Sequence, residues 1–259
     1  MSTYVLPRYT HRVKAHAWTA DDLAARPARL SEVVIGLLVD RIVSGEHPVG
    51  GLIPREPELC AAFGVSRTVI REALKVLEEK GLVRVRRGFG TVVNDEDEWN
   101  LLDLQVLSAV VRHDRELEVL DDLIEVRVAL ETDMAARAAR SRDDADLARM
   151  RTLLGEMAGQ LDTPDQFLAT DVRFHDAIML ASGNRLSRAV VRAIHSQARA
   201  STRYNGEPRR SDLEMTHGGH LALLDRIAAQ DPEGAAAAMR EHILGTWAER
   251  KAQRPARDG

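Results

Sequence analysis

The sequence predicts a mainly α protein, with an N-terminal winged helix-turn-helix of mixed α and β character followed by an all-α helical bundle. Three observations predict it. Between Ile53 and Val93, two short helical patterns separated by Phe63-Gly64-Val65 run into a strand-turn-strand pattern rich in Arg and Gly. Beyond residue 103, apolar residues recur at helical spacing between short polar breaks, with no strand alternation. Charge is divided: residues 1–94 hold 14 Lys/Arg against 10 Asp/Glu, and residues 95–259 hold 22 against 30. A basic front on an acidic body is the electrostatic footprint of a DNA-binding head.

Residues 1–29 carry scattered basic residues with Pro7, Pro27, His11 and His16, and form no clear element; an N-terminal arm is expected. Leu30, Val34, Leu37, Leu38 and Ile42 make a helical stripe, with Ser31 as its cap. Gly45 to Gly51 is a turn region, and Glu58 to Phe63 a short helix. Gly64 supplies a tight turn because it tolerates positive φ. Ser66 is placed to cap the next helix, whose inner face carries Val69, Ala73, Val76 and Leu77 and which Gly81 ends. Its outer face carries Arg67, Thr68 and Arg71, with the two arginines one turn apart. Arg at the front of such a helix can bond guanine O6 and N7 together. Leu82–Arg86 and Thr91–Val93 are strands joined by Arg87-Gly88-Phe89-Gly90, a wing with a basic tip. A small structural helix pair with a surface hairpin is the plainer reading of the same stretch.

The acidic segment from Asn94 to Asn100 marks a linker. The expected division is an arm (1–29), a winged head (30–94), a linker (95–102), a helical domain (103–251) and a tail (252–259). Helices are expected near 103–112, 115–140, 143–161, 164–182, 185–203, 211–230 and 232–251. Thr163 with Gln166, and Ser211 with Glu214, have capping-box spacing. Composition excludes other classes. The single cysteine, Cys60, cannot form an intramolecular disulfide and is expected as a small core residue. No run approaches the roughly 20 apolar residues of a membrane span, and the N-terminus lacks a secretory signal. A cytoplasmic chain is expected.

Polar residues on apolar helix faces are where function is sought, because burying them unsatisfied is costly. Asp171 and His175 share a face with Leu168 and Ile178. His220 lies in line with Leu224 and Ile227, and His242 with Ala235, Met239 and Thr246. One carboxylate and three imidazoles suit a divalent ion, zinc first, with nickel or manganese as alternatives. The competing reading is four unrelated core residues, each hydrogen-bonded, and His217 rivals His220. Arg127 and Glu131 sit on an apolar face with Leu120, Leu123 and Ile124, either as a buried ion pair or with Arg127 forking onto a carboxylate effector. Arg188, Arg192, His195, Arg199 and Arg203 form a further stripe, read as a solvated face unless some of its arginines line a pocket.

Residues 42–93 resemble the winged helix of GntR-type bacterial repressors. Phe63-Gly64-Val65-Ser66-Arg67, Arg71-Glu72-Ala73-Leu74, Gly81-Leu82-Val83 and Gly88-x-Gly90 carry the likeness. It implies DNA contacts by Arg67, Arg71, Arg87 and Gly88, to which Ser66 and Thr68 are added from the same helix start. The family usually has Arg before its Glu-Leu pair; here Pro57 stands there, with Arg55 nearby. Residues 115–250 resemble the FCD effector domain of the FadR subfamily through Glu125-x-Arg127 with Glu131, Asp171-x-x-Phe174-His175, Ser182-Gly183-Asn184, His220-x-x-Leu223 and Ala238-Met239-Arg240-x-His242. That resemblance implies an all-α bundle with Asp171, His175, His220 and His242 as metal ligands, a small-acid effector bound by Arg127, and a homodimer. The stretch from Trp99 to Leu107 resembles members governing sugar-acid catabolism. The expected function is a metabolite-responsive repressor of a carbon-catabolic operon, bound to two-fold operator DNA and not an enzyme. Its rivals are a metal-dependent enzyme fused to a DNA-binding head, and a direct metal sensor. No separate general base stands beside the histidines to favour the first.

Overall fold

The computed structural model describes residues 25–114, 117–200 and 208–252, with side chains described over 30–114, 117–195 and 208–252. The expected arm before Ala25, the Asn205-Gly206 break and the tail from residue 253 lie outside the described residues.

Helix α1 (Ala25–Val43) starts earlier than its stripe suggests. Pro27 falls in its first turn, where a missing N–H costs no helix bond. Ser31 is therefore a buried residue inside the helix and not its cap. The buried face is Val34, Ile35, Leu38, Val39 and Ile42. Leu30 and Leu37, expected inside, are 48% and 46% exposed, because the stripe that meets α3 is rotated by one position. Helices α2 (Glu56–Phe63) and α3 (Arg67–Glu79) follow. Gly64 joins them at φ 65, and Ser66 Oγ accepts the Val69 N–H at 3.4 Å. Val69, Ile70, Ala73 and Leu77 of α3 are buried, while Val76 is only half-buried.

Gly81 (φ 75) ends this helix run, and a Cβ there would stand 2.1 Å from the Glu98 carbonyl oxygen. Strands β1 (Val83–Arg86) and β2 (Gly90–Val93) pair antiparallel, from Val83↔Val93 to Arg86↔Gly90.

The acidic segment after the wing packs on the head. Trp99 joins the head's core and donates Nε1–H to the Asn94 carbonyl. Helix α4 (Leu104–His113) is capped by Asp103, whose carboxylate accepts the Gln105 and Val106 N–H groups and the Lys80 ammonium. Its Val106 and Ala109 belong to the head's core, and its Leu107 and Val111 to the core of the helical bundle. Asp40 of α1 meets Arg112 and His113, each at 3.0 Å.

The bundle comprises α5 (Glu118–Ser141), α6 (Asp144–Ala158), α7 (Pro164–Ala181), α8 (Arg185–Ala200), α9 (Arg210–Ala228) and α10 (Pro232–Ala252). Helices α5 and α10 form its most extensive pair, α9 packs on α10, and α8 lies against α4, α5 and α7. Two expected capping boxes do not form. Thr163 Oγ1 donates to the Gln160 carbonyl, and Pro164 opens α7 without a side-chain cap. Helix α9 starts one residue early, so Ser211 is internal and the Asp212 carboxylate accepts the Arg209 N–H at 2.8 Å.

Candidate metal centre and nucleic-acid interface

Three helices bring the four polar residues together. Asp171 and His175 stand one turn apart on α7, His220 on α9 and His242 on α10. One ligand atom from each lies within 4.8 Å of all the others. His175 Nε2 is 3.2 Å from His242 Nε2 and 3.3 Å from His220 Nε2. His220 Nε2 is 3.2 Å, and His175 Nε2 4.0 Å, from Asp171 Oδ1. The three histidines are buried, while 17% of the Asp171 side chain is exposed to a cleft.

Behind the cluster sits Glu131 of α5, wholly buried. Its carboxylate meets His175 Nδ1 at 2.6 Å, Arg127 Nε at 2.8 Å and His195 Nε2 at 3.0 Å. Burial alone would raise the Glu131 carboxyl, but the Arg127 charge and the facing His175 and His195 rings hold it well below the usual range. Asp171 follows the same pattern: burial opposes ionisation, and the His220 hydrogen bond with the facing imidazoles overrides it. Burial pushes His242 well below its ordinary value, assisted by His220 and His175. It lowers His220 too, against the pull of Asp171. Ionised carboxylates and neutral imidazoles are the protonation states a cation requires of its ligands.

The donor set fits a divalent ion. An ionised Glu131 draws the Nδ1 proton of His175, which leaves its Nε2 lone pair facing two other Nε2 atoms. Lone pairs at that separation repel unless a proton or cation lies among them. Tetrahedral ligand bonds of about 2.0–2.1 Å to one ion give ligand–ligand edges of roughly 3.3–3.4 Å. His217 is absent from the cluster, half-buried on the neighbouring turn of α9 with burial lowering its pKa.

A narrow cleft, with free space of about 20 Å³, opens onto the cluster. Its walls include Asp171, His175 and His242, together with Arg127, His195, Thr216, Thr246 and Arg250. Arg127 pairs with Glu131 and also lines the cleft. The α8 stripe divides. Arg188 forks onto Asp176 at 2.8 and 2.7 Å, with Arg192 beside it, while His195 turns inward. The Arg199 side chain and Arg203 lie outside the described residues. Sequence reasoning missed Thr216 and Arg250. Arg250 was legible as the next step of the His242–Thr246 spacing on α10.

In the head, Arg67 and Thr68 stand exposed at the start of α3, while Ser66 serves as its cap. A second groove, between α3 and the wing, gathers Arg55, Arg71, Arg87 and Gly88. Arg71 is held by Glu56, its Nε 3.0 Å from Oε2. Arg55, at the start of α2, lines the groove beside Pro57.

Residues 30–93 match the family model described as bacterial regulatory proteins, gntR family, and residues 122–245 match that of the FCD domain. Among curated relatives, the galactonate operon transcriptional repressor of Escherichia coli (strain K12) is 31% identical over 78% of this chain and 88% of its own. The HTH-type transcriptional repressor NanR of Klebsiella aerogenes is 30% identical over 85% of each chain. LutR, an HTH-type transcriptional regulator of Bacillus subtilis, is 31% identical over 78% of this chain and 92% of its own. Among solved structures, Lar, described as controlling the expression of the Listeria monocytogenes agr system, superposes with TM-score 0.58. That likeness, at 20% identity over 87% of this chain and 98% of the other, shows the fold alone.

Proposed function

The chain belongs to the gntR family of bacterial regulatory proteins and carries an FCD domain, so it is a DNA-binding transcription regulator and not an enzyme; on that premise we propose that it is a repressor of a carbon-catabolic operon, released by a small organic acid. The observation that carries the effector reading is the cleft lined by Arg127 together with Asp171, His175 and His242 of the cluster. The likeness to a galactonate operon repressor supports a sugar acid.

In this reading residues 30–94 are the DNA-binding head, 95–102 the connection and 103–251 the effector domain. Arg67 and Thr68 read bases, Ser66 sets the helix that presents them, Arg71 contacts DNA from the same helix, and Arg87 and Gly88 bring the wing to the backbone. Asp171, His175, His220 and His242 hold the ion, zinc by its preference for nitrogen and carboxylate donors. A divalent ion there supplies a Lewis-acid position for a carboxylate oxygen. Arg127 forks onto the acid, while Glu131 fixes its direction. A homodimer places two heads on a two-fold operator, and operator DNA as partner implies a cytoplasmic location. Acid binding shifts the bundle toward the arrangement that holds DNA less well.

The test is operator release by galactonate, read by fluorescence anisotropy. Arg127→Lys keeps a cation for Glu131 but loses the planar fork. It should hold the operator at about 10–100-fold higher acid than the parent, the value of a charge-assisted bond, with metal content and unliganded DNA binding unchanged. Release at the parent's concentration would leave Arg127 as a core ion-pair partner only. Metal alone releasing the operator would favour the direct-sensor reading.

A further inference from the structure

We infer that Phe89 is an apolar wedge that enters the minor groove of the duplex and favours a flexible pyrimidine–purine step there, so that the wing adds sequence preference to backbone contact; the inference rests on α3 and the wing being the DNA-binding surface. Phe89 is 68% exposed at the tip of the wing. Leu52 and Val85, 53% and 59% exposed, line the same groove between α3 and the wing. Apolar side chains scattered singly over a surface need no explanation, but three that border one groove mark a contact face.

The backbone presents the ring firmly. Arg86 and Gly90 are paired across the sheet, so Arg87, Gly88 and Phe89 form the turn. The Phe89 N–H donates to the Arg86 carbonyl at 3.0 Å and closes that turn. Gly88 and Gly90, on either side of Phe89, have φ 76 and 121. At the base of the wing Leu52 bridges to Val92, and the Ile53 N–H donates to the Thr91 carbonyl at 2.9 Å. A ring held on a closed, braced turn loses little further freedom when it is buried against a partner.

The partner follows from charge and geometry. The groove has free space of about 740 Å³ and is lined by five Arg or Lys side chains against two Glu. An apolar protein partner would leave that excess of cations unmet. The sugar–phosphate strand of a duplex is anionic at its edge and apolar along its deoxyribose walls, so it meets both kinds of side chain. One strand separates the major from the minor groove. With α3 in the major groove and the strand lying along the cationic groove, the wing comes down on the far side of that strand, in the minor groove. Arg86 and Arg87, both exposed, then meet phosphates, and Phe89 meets sugars and base edges. A phenyl ring has no hydrogen-bonding group with which to read a base edge. Apolar wedges act by partly unstacking a base step, and TA and CA steps open most easily.

The experiment is enrichment of binding sites from a random duplex pool by the full-length parent and its variants. The parent should enrich a TA or CA step flanking the bases read by α3. Phe89→Ser should enrich the same α3 bases and lose the step, at unchanged melting temperature. Phe89→Leu, which keeps an apolar wedge, should retain it. On the parent's enriched duplex with 2-aminopurine at that step, the parent and Phe89→Leu should raise the fluorescence by unstacking, and Phe89→Ser should not. Phe89→Ser should bind this duplex at least about fivefold more weakly, the lower range for a lost aromatic–base contact. Its salt dependence should match the parent's, whereas Arg87→Ala should lower the salt slope by about one. An enriched site without a flexible step, a step or fluorescence rise kept by Phe89→Ser, or a reduced salt slope in that variant overturns the inference and leaves base reading by α3 standing. A parent that enriches no sequence overturns both.

Discussion

At the scale of single residues, Glu131 does more than its sequence position suggests. One carboxylate neutralises Arg127, sets the His175 tautomer and holds His195. Glu131→Gln keeps the shape but removes the charge. A carboxylate that orients a ligating histidine in this way is worth about 10–100-fold in metal affinity. Breaking a buried pair from one side costs about 3–5 kcal/mol. Loaded with zinc, the variant should therefore lose it to a chelator at least tenfold more readily than the zinc-loaded parent, and it should melt earlier. Unchanged zinc retention would reduce Glu131 to a packing residue. In the head, Arg67 is exposed and Arg71 is tied to Glu56, so Arg67 is the first residue to test for base reading. Arg67→Ala should cost about 1–3 kcal/mol on the operator and little on random DNA. Equal loss on both in salt-resolved titrations would make it a phosphate contact.

At the scale of elements, α4 links the head to the bundle by giving one face to each core. The Asp103–Lys80 bond, 2.5 Å long, fastens the end of the α3 run to the start of α4. Burial works against the Asp103 carboxylate, but the Lys80 bond and the Val106 and Gln105 N–H groups hold its pKa below the ordinary value. A depressed folded-state pKa stabilises above the unfolded value of about 3.9 and is lost as pH falls through the folded value. Asp103→Asn still caps α4 but releases Lys80. It should cost about 1–2 kcal/mol near neutral pH. The gap in melting temperature should close as pH falls below about 4. A gap that stays constant down to pH 3 would place the effect in capping and not in the ion pair.

At the scale of the whole molecule, the His175–Glu131–His195 chain reaches α8, α8 lies on α4, and α4 packs into the head. The proposed acid site and the DNA-binding head are thereby joined through packed elements. Linkage makes their coupling reciprocal. Whatever factor the acid imposes on operator affinity, operator DNA must impose on acid affinity, typically about 5–150-fold. Titrating acid onto free and operator-bound protein measures one factor, and titrating DNA with and without acid the other. Coupling absent in both directions would separate the cleft from DNA control.

The sequence by itself determined the helix-turn-helix, the wing and the α-helical body, because turn glycines, the Ser66 cap and apolar periodicity are local signals. It also marked four candidate ligands, because Asp171 and His175 are one turn apart and the residues around them and around His220 and His242 resemble the FCD motifs; spacing alone left His217 as a rival to His220. Only the tertiary structure decided which face of α1 is buried, since Leu30 and Leu37 differ from Val34 and Leu38 by rotation about one axis. It alone drew Glu131, His175 and His195 together across α5, α7 and α8, and turned His195 inward while Arg188 and Arg192 met Asp176 outside. Spacing within a helix fixes which residues share a face; which helices meet at that face depends on packing between segments far apart in the chain.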